Sequence, residues 1–285
     1  MIEQTPLVHT GIIAAAGSAA RMWPASKVFP KELFPLGRIP VLVHVIQEMV
    51  TAGIRQIVIV VRPDGSNTIQ MLLDRKIPPP DNARGDAIVR EFDELLAGAS
   101  FSFVPQSGRY GNGTPLLDGL PSTDGGPLVY AFADDVVLGE NASAGLIRTF
   151  ERTRHPVLAA QQVPERDVSK FGILEYTSRD GADYVTRFVE KPTPGQTSSR
   201  FASLGRYLVT RDVVDALEQT PPGRDGELWL ADSFGALLHR GSPIAVHRLT
   251  TGHWYTVGNP EGYADAVAAA RQGGLHAGGF TTTTP

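Results

Sequence analysis

The feature that constrains this chain most is an apolar run near its N-terminus that breaks abruptly into small residues. Residues 11–16 read Gly-Ile-Ile-Ala-Ala-Ala, which is typical of a buried strand, and Gly17 then opens a loop of small residues that ends at Arg21. A strand that leads into such a loop brings backbone N–H groups close to a phosphate, because no bulky side chain holds the oxygen atoms away. Lys31 adds a second cation. The stretch therefore predicts a phosphate site in an α/β protein.

Two common phosphate-binding fingerprints are absent from this loop. A Walker A loop ends in Gly-Lys-Ser or Gly-Lys-Thr, which this loop lacks, and the dinucleotide fingerprint requires glycines where Ala19 and Met22 stand. About 20 residues after Gly17 the chain reads Leu-Gly-Arg, without the acidic residue that would bind a ribose. A Rossmann dehydrogenase is therefore rejected. Hydrolase motifs are also missing, since neither Gly-x-Ser-x-Gly nor His-Glu-x-x-His occurs.

The spacing of apolar residues beyond the loop predicts alternating helices and strands. Residues 40–52 have helical spacing and residues 57–61 form a second apolar run, so a β-loop-α-β unit with a right-handed crossover is expected. Further strands are predicted at 101–105 and 128–133, and the second half of the chain is richer in strands. In open α/β sheets, ligands bind at the carboxyl ends of the strands. The loops after the first, third and fourth strands, at 11–16, 101–105 and 128–133, are therefore expected to converge on one crevice.

Length and composition favour one domain. A chain of 285 residues with 42% hydrophobic content can bury a substantial core, and no linker divides it, so one domain is expected over residues 1–272. Its first half would span about residues 10–140 and its second half about residues 141–272. The Gly- and Thr-rich residues 273–285 are expected to form a disordered tail.

Charge and hydropathy exclude several kinds of partner. With 26 Lys+Arg against 30 Asp+Glu the chain is mildly acidic, which argues against broad nucleic-acid binding. No run of about 18 apolar residues exists, so no membrane span is expected. The N-terminus lacks a basic segment followed by an apolar one, so no secretory signal is expected and the cytoplasm is the predicted location. The absence of cysteine excludes disulfides and thiolate metal sites.

The run from Gly17 to Glu32 resembles a signature of the sugar-1-phosphate nucleotidyltransferases, and most closely that of the bacterial glucose-1-phosphate uridylyltransferases. The signature reads Gly-x-Gly-Thr-Arg-Met-x-Pro-x-Thr/Ser-Lys-x-x-Pro-Lys-Glu, and the chain departs from it at Ala19-Ala20, which replace Gly-Thr. Later motifs follow in the order of the family, over about residues 10–270. The resemblance implies a Rossmann-like three-layer α/β/α nucleotidyltransferase fold, with a mostly parallel central sheet and a smaller β-rich sugar-binding extension.

The resemblance also implies a reaction and the residues that carry it. A nucleotidyl group would pass from a nucleoside triphosphate to a sugar 1-phosphate, with release of pyrophosphate. Arg21 would hold the β- and γ-phosphates, Lys31 would contact the α-phosphate, and Asp135 would bind Mg²⁺. The neighbouring Asp134 is expected to lie outside the site, because adjacent residues on a strand point to opposite faces. The family commonly forms dimers or tetramers, so a homo-oligomer is expected.

One group of residues matches the nucleotide-binding motifs of the family. The nucleotide would lie against Ala16, Gly17, Gln106 and Gly111. The glutamine amide would pair with the edge of a uracil, and a glycine would let the base lie on the backbone. UTP is therefore favoured over dTTP or a purine triphosphate.

A second group matches the sugar-binding motifs, which the resemblance assigns to glucose 1-phosphate or a related sugar or cyclitol phosphate. The sugar phosphate would lie against Gly172, Glu190, Lys191 and Gly205. Glu190 would accept hydrogen bonds from sugar hydroxyls, and Lys191 would hold the phosphate as a point charge.

One position departs from the metal site of the family. A second carboxylate is expected two residues before Gly258, where the chain has Thr256. An alcohol cannot replace the charge of a carboxylate on a hard cation, so either Asp135 binds the metal with substrate phosphates and water, or the metal affinity is weak. This departure and Ala19-Ala20 leave open a second hypothesis, a non-catalytic relative that binds nucleotide-sugars and regulates a partner.

Overall fold

The structure is a computed structural model that describes residues 7–63, 66–83, 86–108, 110–223 and 226–272. Its strands, in chain order, are β1 (Thr10–Ala15), β2 (Pro35–Leu36), β3 (Ile39–Pro40), β4 (Gln56–Val61), β5 (Ser100–Pro105), β6 (Leu128–Phe132), β7 (Asp135–Leu138), β8 (Val157–Gln162), β9 (Gly172–Arg179), β10 (Ala182–Glu190), β11 (Phe201–Val209), β12 (Ala245–Arg248) and β13 (His253–Thr256). Its helices are α1 (Val41–Thr51), α2 (Ser66–Leu73), α3 (Ala87–Ala97), α4 (Thr114–Gly119), α5 (Ala142–Thr153), α6 (Arg211–Glu218), α7 (Leu230–His239) and α8 (Pro260–Gln272). None of the helices in these ranges has the length and apolar character that a membrane crossing requires. The predicted tail, residues 273–285, lies outside the described residues.

Nine strands form one sheet in the order β5-β4-β1-β6-β11-β8-β12-β10-β9. In its first half, β1 runs parallel to β4 and β6, and β4 runs parallel to β5, so the predicted β-loop-α-β unit is confirmed. In its second half the pairing is mixed, because β11 is antiparallel to β6 and β8 and the long strands β9 and β10 form an antiparallel pair. The parallel half and the β-rich half together make the predicted α/β fold.

Neighbouring residues of β1 belong to different cores on the two faces of the sheet. Ile13 lies in one buried cluster with Leu42 and Ile46 of α1, whereas Ile12 lies in another with Leu116 of α4 and Phe234 of α7. Strand residues alternate between faces, so each face of β1 meets its own helices. The predicted three-layer α/β/α architecture is therefore confirmed.

A separate two-stranded sheet joins the middle of the chain to its C-terminal part. Strand β7 pairs antiparallel with β13, and their register sets Asp135 opposite Thr256. Local periodicity carries no signal for this pairing, because its two strands are short and far apart in the chain. As a consequence, the first residue of β7 and the last residue of β13 lie side by side.

Candidate active site

A cleft of about 390 Å³, here called the central cleft, opens where the parallel and mixed halves of the sheet meet. Six of the predicted site residues line it, namely Arg21, Asp135, Gly172, Glu190, Lys191 and Gly205. They come from five separate stretches of the chain, which the sheet topology brings to one opening. Cations and carboxylates thus face a common space large enough for a small ligand.

Lys31 lies beside this cleft and is paired with a carboxylate that lines it. Its Nζ is 2.6 Å from Oδ2 of Asp134, and both groups are mostly buried. Burial acts to lower the pKa of Lys31, but the attraction of Asp134 and Glu32 outweighs it and raises that pKa. Burial likewise acts to raise the pKa of Asp134, and Lys31 reverses the shift. The pair is therefore fully charged at neutral pH.

The expectation that Asp134 lies outside the site was wrong. Strand β6 ends at Phe132, and the chain turns through Ala133 and Asp134 before β7 begins at Asp135. The alternation of side chains between faces holds only along a continuous strand. Because of this turn, both aspartates line the central cleft.

Asp135 is held against the backbone of β11. Its Oδ2 accepts a hydrogen bond of 3.1 Å from the N–H of Gly205. A Cβ on Gly205 would lie 2.3 Å from that oxygen and 2.6 Å from Cδ2 of Phe132, so only glycine fits at this position. Burial and the charge of Asp134 raise the pKa of Asp135 to about 7. The glycine expected to border a sugar thus also makes room for the carboxylate.

The side of the cleft that is predicted to bind the sugar phosphate is built on the β9–β10 hairpin. Gly172 pairs with Glu190 across these strands, and a Cβ on Gly172 would lie 2.7 Å from Oε2 of Glu190. Burial raises the pKa of Glu190, and the charge of Lys191 opposes the shift. The Nζ of Lys191 lies 4.8 Å from the centroid of the Trp229 ring, which is a cation–π distance. A carboxylate, an ammonium and an aromatic wall therefore stand together.

A second pocket, of about 270 Å³, opens beside the loops that follow β1 and β5. Ala16 and Gln106 line it together with Ser18, Arg62 and Tyr110. The hydroxyl of Tyr110 lies 3.4 Å from Oγ of Ser18, so the two loops touch across the pocket. Two of the residues predicted to bind the nucleotide thus share one pocket beside the loop at residues 17–21, which is predicted to bind phosphate and is here called the phosphate loop.

Close packing explains why glycine stands at each of the two predicted nucleotide-binding glycine positions. A Cβ on Gly17 would lie 3.2 Å from Nζ of Lys31, so the phosphate loop passes directly over that lysine. Gly111 has a φ of 137°, and a Cβ there would lie 2.3 Å from the carbonyl oxygen of Leu228. Neither glycine is among the residues that line the central cleft or the second pocket. Their contact with a nucleotide stays a prediction.

The two carboxylates of the turn supply only part of the ligand set that a divalent cation requires. Asp134 and Asp135 offer oxygen ligands of the kind that hard cations prefer. Thr256, which stands opposite Asp135 in the β7–β13 pair, offers a hydroxyl where the family has a carboxylate. Within the described ranges no group of three or more His, Cys, Asp and Glu side chains could hold a metal ion. Phosphate oxygens of the substrates would have to complete the coordination.

Four residues of the site were not anticipated from the sequence, namely Asp134, Tyr110, Trp229 and Arg206. Strand alternation predicted that Asp134 lies outside the site, and Tyr110 lies between the predicted nucleotide-binding residues Gln106 and Gly111. Arg206 follows Gly205 directly and is fully buried. A charged residue inside an apolar strand indicates a buried ion pair, because such residues are rarely buried without partners.

The fold and the cleft are those of an α/β protein with cations and carboxylates gathered at the carboxyl ends of its strands. Residues 10–273 match a protein family described as nucleotidyl transferase. This chain therefore belongs to the nucleotidyl transferase family, and the resemblance seen in its sequence is confirmed. Enzymes of this family transfer nucleotidyl groups and generally require a divalent metal ion.

Individual relatives cover nearly the whole chain. A UTP–glucose-1-phosphate uridylyltransferase of Pseudomonas aeruginosa is 29% identical over 92% of this chain and 95% of its own length. The protein of the same name from Staphylococcus haemolyticus is 30% identical over 90% of each chain. Among solved structures, a UDP-glucose pyrophosphorylase complexed with UDP-glucose superposes with a TM-score of 0.84 at 23% identity, covering 93% of this chain and 99% of that one. The structural likeness establishes the fold, which agrees with the family.

Proposed function

We propose that this protein transfers a uridylyl group from UTP to glucose 1-phosphate or a related sugar or cyclitol phosphate, with release of pyrophosphate. The observation that carries the proposal is the convergence of Arg21, Asp135, Glu190 and Lys191 on the central cleft, with Lys31 beside it. The names of the relatives support the choice of UTP and glucose 1-phosphate. The second pocket, with the amide of Gln106, would take the nucleoside.

The reaction must bring two mutually repelling phosphates together. An oxygen of the sugar phosphate attacks the α-phosphorus, a new P–O bond forms, and the bond to the leaving pyrophosphate breaks. Lys191 would hold the attacking phosphate and Arg21 the leaving phosphates, so that charge is neutralised on both sides of the transferred group. A bound Mg²⁺ ion would supply further neutralisation of the triphosphate from Asp135.

Lys31 would have to exchange partners during this reaction. Its ammonium is bound to Asp134, and the phosphate loop passes over it at Gly17. A triphosphate in that loop would compete with Asp134 for the ammonium. When Lys31 moves to the α-phosphate, the carboxylate of Asp134 becomes available to a cation. The ion pair would thus keep two charged groups compensated until substrate arrives.

The proposal is tested with purified protein, Mg²⁺ and a matrix of nucleoside triphosphates and sugar 1-phosphates, with pyrophosphate release as the readout. We expect the highest kcat/KM for UTP with one sugar phosphate. The Lys31→Ala variant should lose on the order of 10² or more in rate, because charge neutralisation in the transition state is lost. Lys76→Ala, at an exposed lysine outside both pockets, is the matched control and should retain the full rate.

The alternative, a non-catalytic protein that binds nucleotide-sugars, has no support from the relatives. It would gain support if UDP-sugars raised the melting temperature while no triphosphate in the matrix turned over. The assembly into a homo-oligomer and the cytoplasmic location stay predictions. Light scattering on the purified protein would measure the oligomer directly.

A further inference from the structure

Arg206 is fully buried and commits its whole guanidinium group to hydrogen bonds. Its Nε and Nη2 each donate to the carboxylate of Glu48 on α1 at 3.0 Å. Its Nη1 donates to the carbonyl oxygens of Phe132 at 3.2 Å and of Gly205 at 2.9 Å. Its Nη2 also donates to the carbonyl oxygen of Asp135 at 2.7 Å. One side chain therefore forms hydrogen bonds with the backbone on both sides of the turn at residues 132–135.

Stability alone does not account for this ion pair. A buried pair of charges costs so much desolvation that apolar residues of similar volume are often equally stabilising. What the guanidinium adds is geometry, since its five donors are fixed in a planar fork. The carboxylate of Glu48, which binds this fork, is itself held in place, because it accepts hydrogen bonds from both the N–H and the hydroxyl of Ser143.

Two consecutive residues of β11 hold Asp135 at two points. The N–H of Gly205 binds its carboxylate, and the Arg206 side chain binds its backbone carbonyl. The carbonyl of Asp134, between the two that Arg206 binds, accepts a hydrogen bond of 2.7 Å from the N–H of Val257. Of these bonds to the carbonyls of residues 132–135, those of Arg206 come from a side chain, whereas that of Val257 comes from the backbone. The bonds of Arg206 can therefore be removed by substitution while the backbone bonds remain.

We propose that Arg206 is a positioning residue for nucleotidyl transfer. By fixing the carbonyls of Phe132 and Asp135, it sets the direction in which the carboxylates of Asp134 and Asp135 point into the central cleft. Asp135, and Asp134 once Lys31 has moved to the phosphate, then present their oxygens to a divalent cation from a fixed backbone. The inference rests on the proposed function for its catalytic consequence, although its effect on metal binding can be measured without turnover.

The test compares two variants. Arg206→Lys keeps a charge opposite Glu48 but loses the fork, because one ammonium cannot reach both carbonyls. The double variant Glu48→Gln with Arg206→Met leaves no unpaired buried charge, so it is expected to fold. Mn²⁺ affinity is measured by electron paramagnetic resonance with UTP present and sugar phosphate absent, so that no turnover occurs, and the part that Asp135→Asn abolishes defines the site.

In both variants we expect Mn²⁺ affinity to fall by about tenfold or more, as for other groups that orient metal ligands. The kcat should fall by a similar factor, with the KM for the triphosphate within about twofold of its original value. Ser143→Ala is the matched control, because it removes a hydrogen bond from Glu48 and leaves the bonds of Arg206 to the turn intact. It should lower the melting temperature without changing Mn²⁺ affinity or kcat.

Full Mn²⁺ affinity in the folded double variant would overturn the proposal. So would the absence of an Asp135-dependent Mn²⁺ site in the unchanged protein. If Arg206→Lys does not fold, the double variant decides. If the unchanged protein transfers no nucleotidyl group but the variants still lose Mn²⁺ affinity, the proposed function fails and the positioning role of Arg206 stands.

Discussion

Nζ of Lys31 lies 2.6 Å from Oδ2 of Asp134, across 103 positions of the chain. The pair ties the loop that follows β1 to the turn that follows β6, and so joins the predicted phosphate site to the carboxylates. Both side chains are mostly out of contact with water. The removal of either partner would leave an uncompensated charge in a buried place.

This pair should therefore show a strong coupling in unfolding experiments. Asp134→Asn is expected to lower the free energy of unfolding by on the order of 3 kcal/mol, because it leaves the ammonium of Lys31 buried without its counter-ion. The double variant with Lys31→Met should recover at least about 1 kcal/mol of that loss. Urea denaturation of the four proteins measures the cycle. Strict additivity of the two single substitutions would contradict a direct interaction.

Replacement of Ala19 by glycine should stabilise the folded state. Ala19 has a φ of 54°, in the left-handed region where a Cβ is disfavoured. We expect Ala19→Gly to raise the free energy of unfolding by about 0.5–1 kcal/mol and the melting temperature by about 2 °C. Ala20→Gly is the matched control and should be destabilising, because Ala20 begins a helical turn and has no such strain. Calorimetry on both variants decides, and a lower melting temperature for Ala19→Gly would be the contrary result.

Glu32 should make stability depend on pH in a predictable direction. Only 2% of this residue is exposed and its Oε1 has no hydrogen-bond partner. Burial raises the pKa of Glu32 from 4.5 to about 7, with the charge of Lys31 opposing the shift. Between these two values the folded state binds more protons than the unfolded state, so stability falls as the pH rises through this window.

Glu32→Gln should remove this loss. At pH 8 the variant is expected to be more stable than the unchanged protein by roughly 2–3 kcal/mol, and the difference should shrink toward pH 5. Urea unfolding across the pH range measures it. Glu218→Gln, at an exposed helix end, is the control and should show no such trend. A stability difference that stays constant from pH 5 to pH 8 would contradict the assignment.

The ring of Tyr110 is expected to contribute to nucleotide binding. It is 51% exposed and lines the second pocket beside Gln106. A base that stacks on an aromatic ring gains about 1–3 kcal/mol. Tyr110→Ala should therefore weaken UTP binding by at least about fivefold in calorimetric titration, whereas Tyr110→Phe should keep most of the affinity. Equal losses in both variants would assign the effect to the hydroxyl and its contact with Ser18.

Much of the parallel half of the fold could be predicted from local patterns. The apolar run at 11–16, the helical spacing at 40–52 and the run at 57–61 specify a strand, a helix and a strand, because each pattern records which faces become buried. Arg21 and Lys31 were identified because they follow such a strand within a motif. Sheet topology predicted that the loops after the first, third and fourth strands converge, and Arg21, Asn112 and Asp135 from these loops do line the central cleft. The residues predicted to bind the sugar phosphate came from the resemblance alone.

Other parts of the site depend on contacts that no local pattern records. Asp134 was assigned wrongly because the turn after Phe132 interrupts the strand. The bond between Arg206 and Glu48 joins residues 158 positions apart, and Lys191 meets Trp229 through the packing of a loop against a helix start. Such contacts depend on how whole elements pack, and the residues involved have no special spacing.

By itself, the sequence determined the chemistry that is available in this protein. It specified a small-residue loop after a buried strand, the cations and carboxylates that could serve phosphates, and an alcohol in place of one family carboxylate. The tertiary structure alone decided which of these groups meet. Residue types and short-range spacing set what a segment can do, whereas the meeting of distant segments depends on strand pairing and core packing across the whole domain.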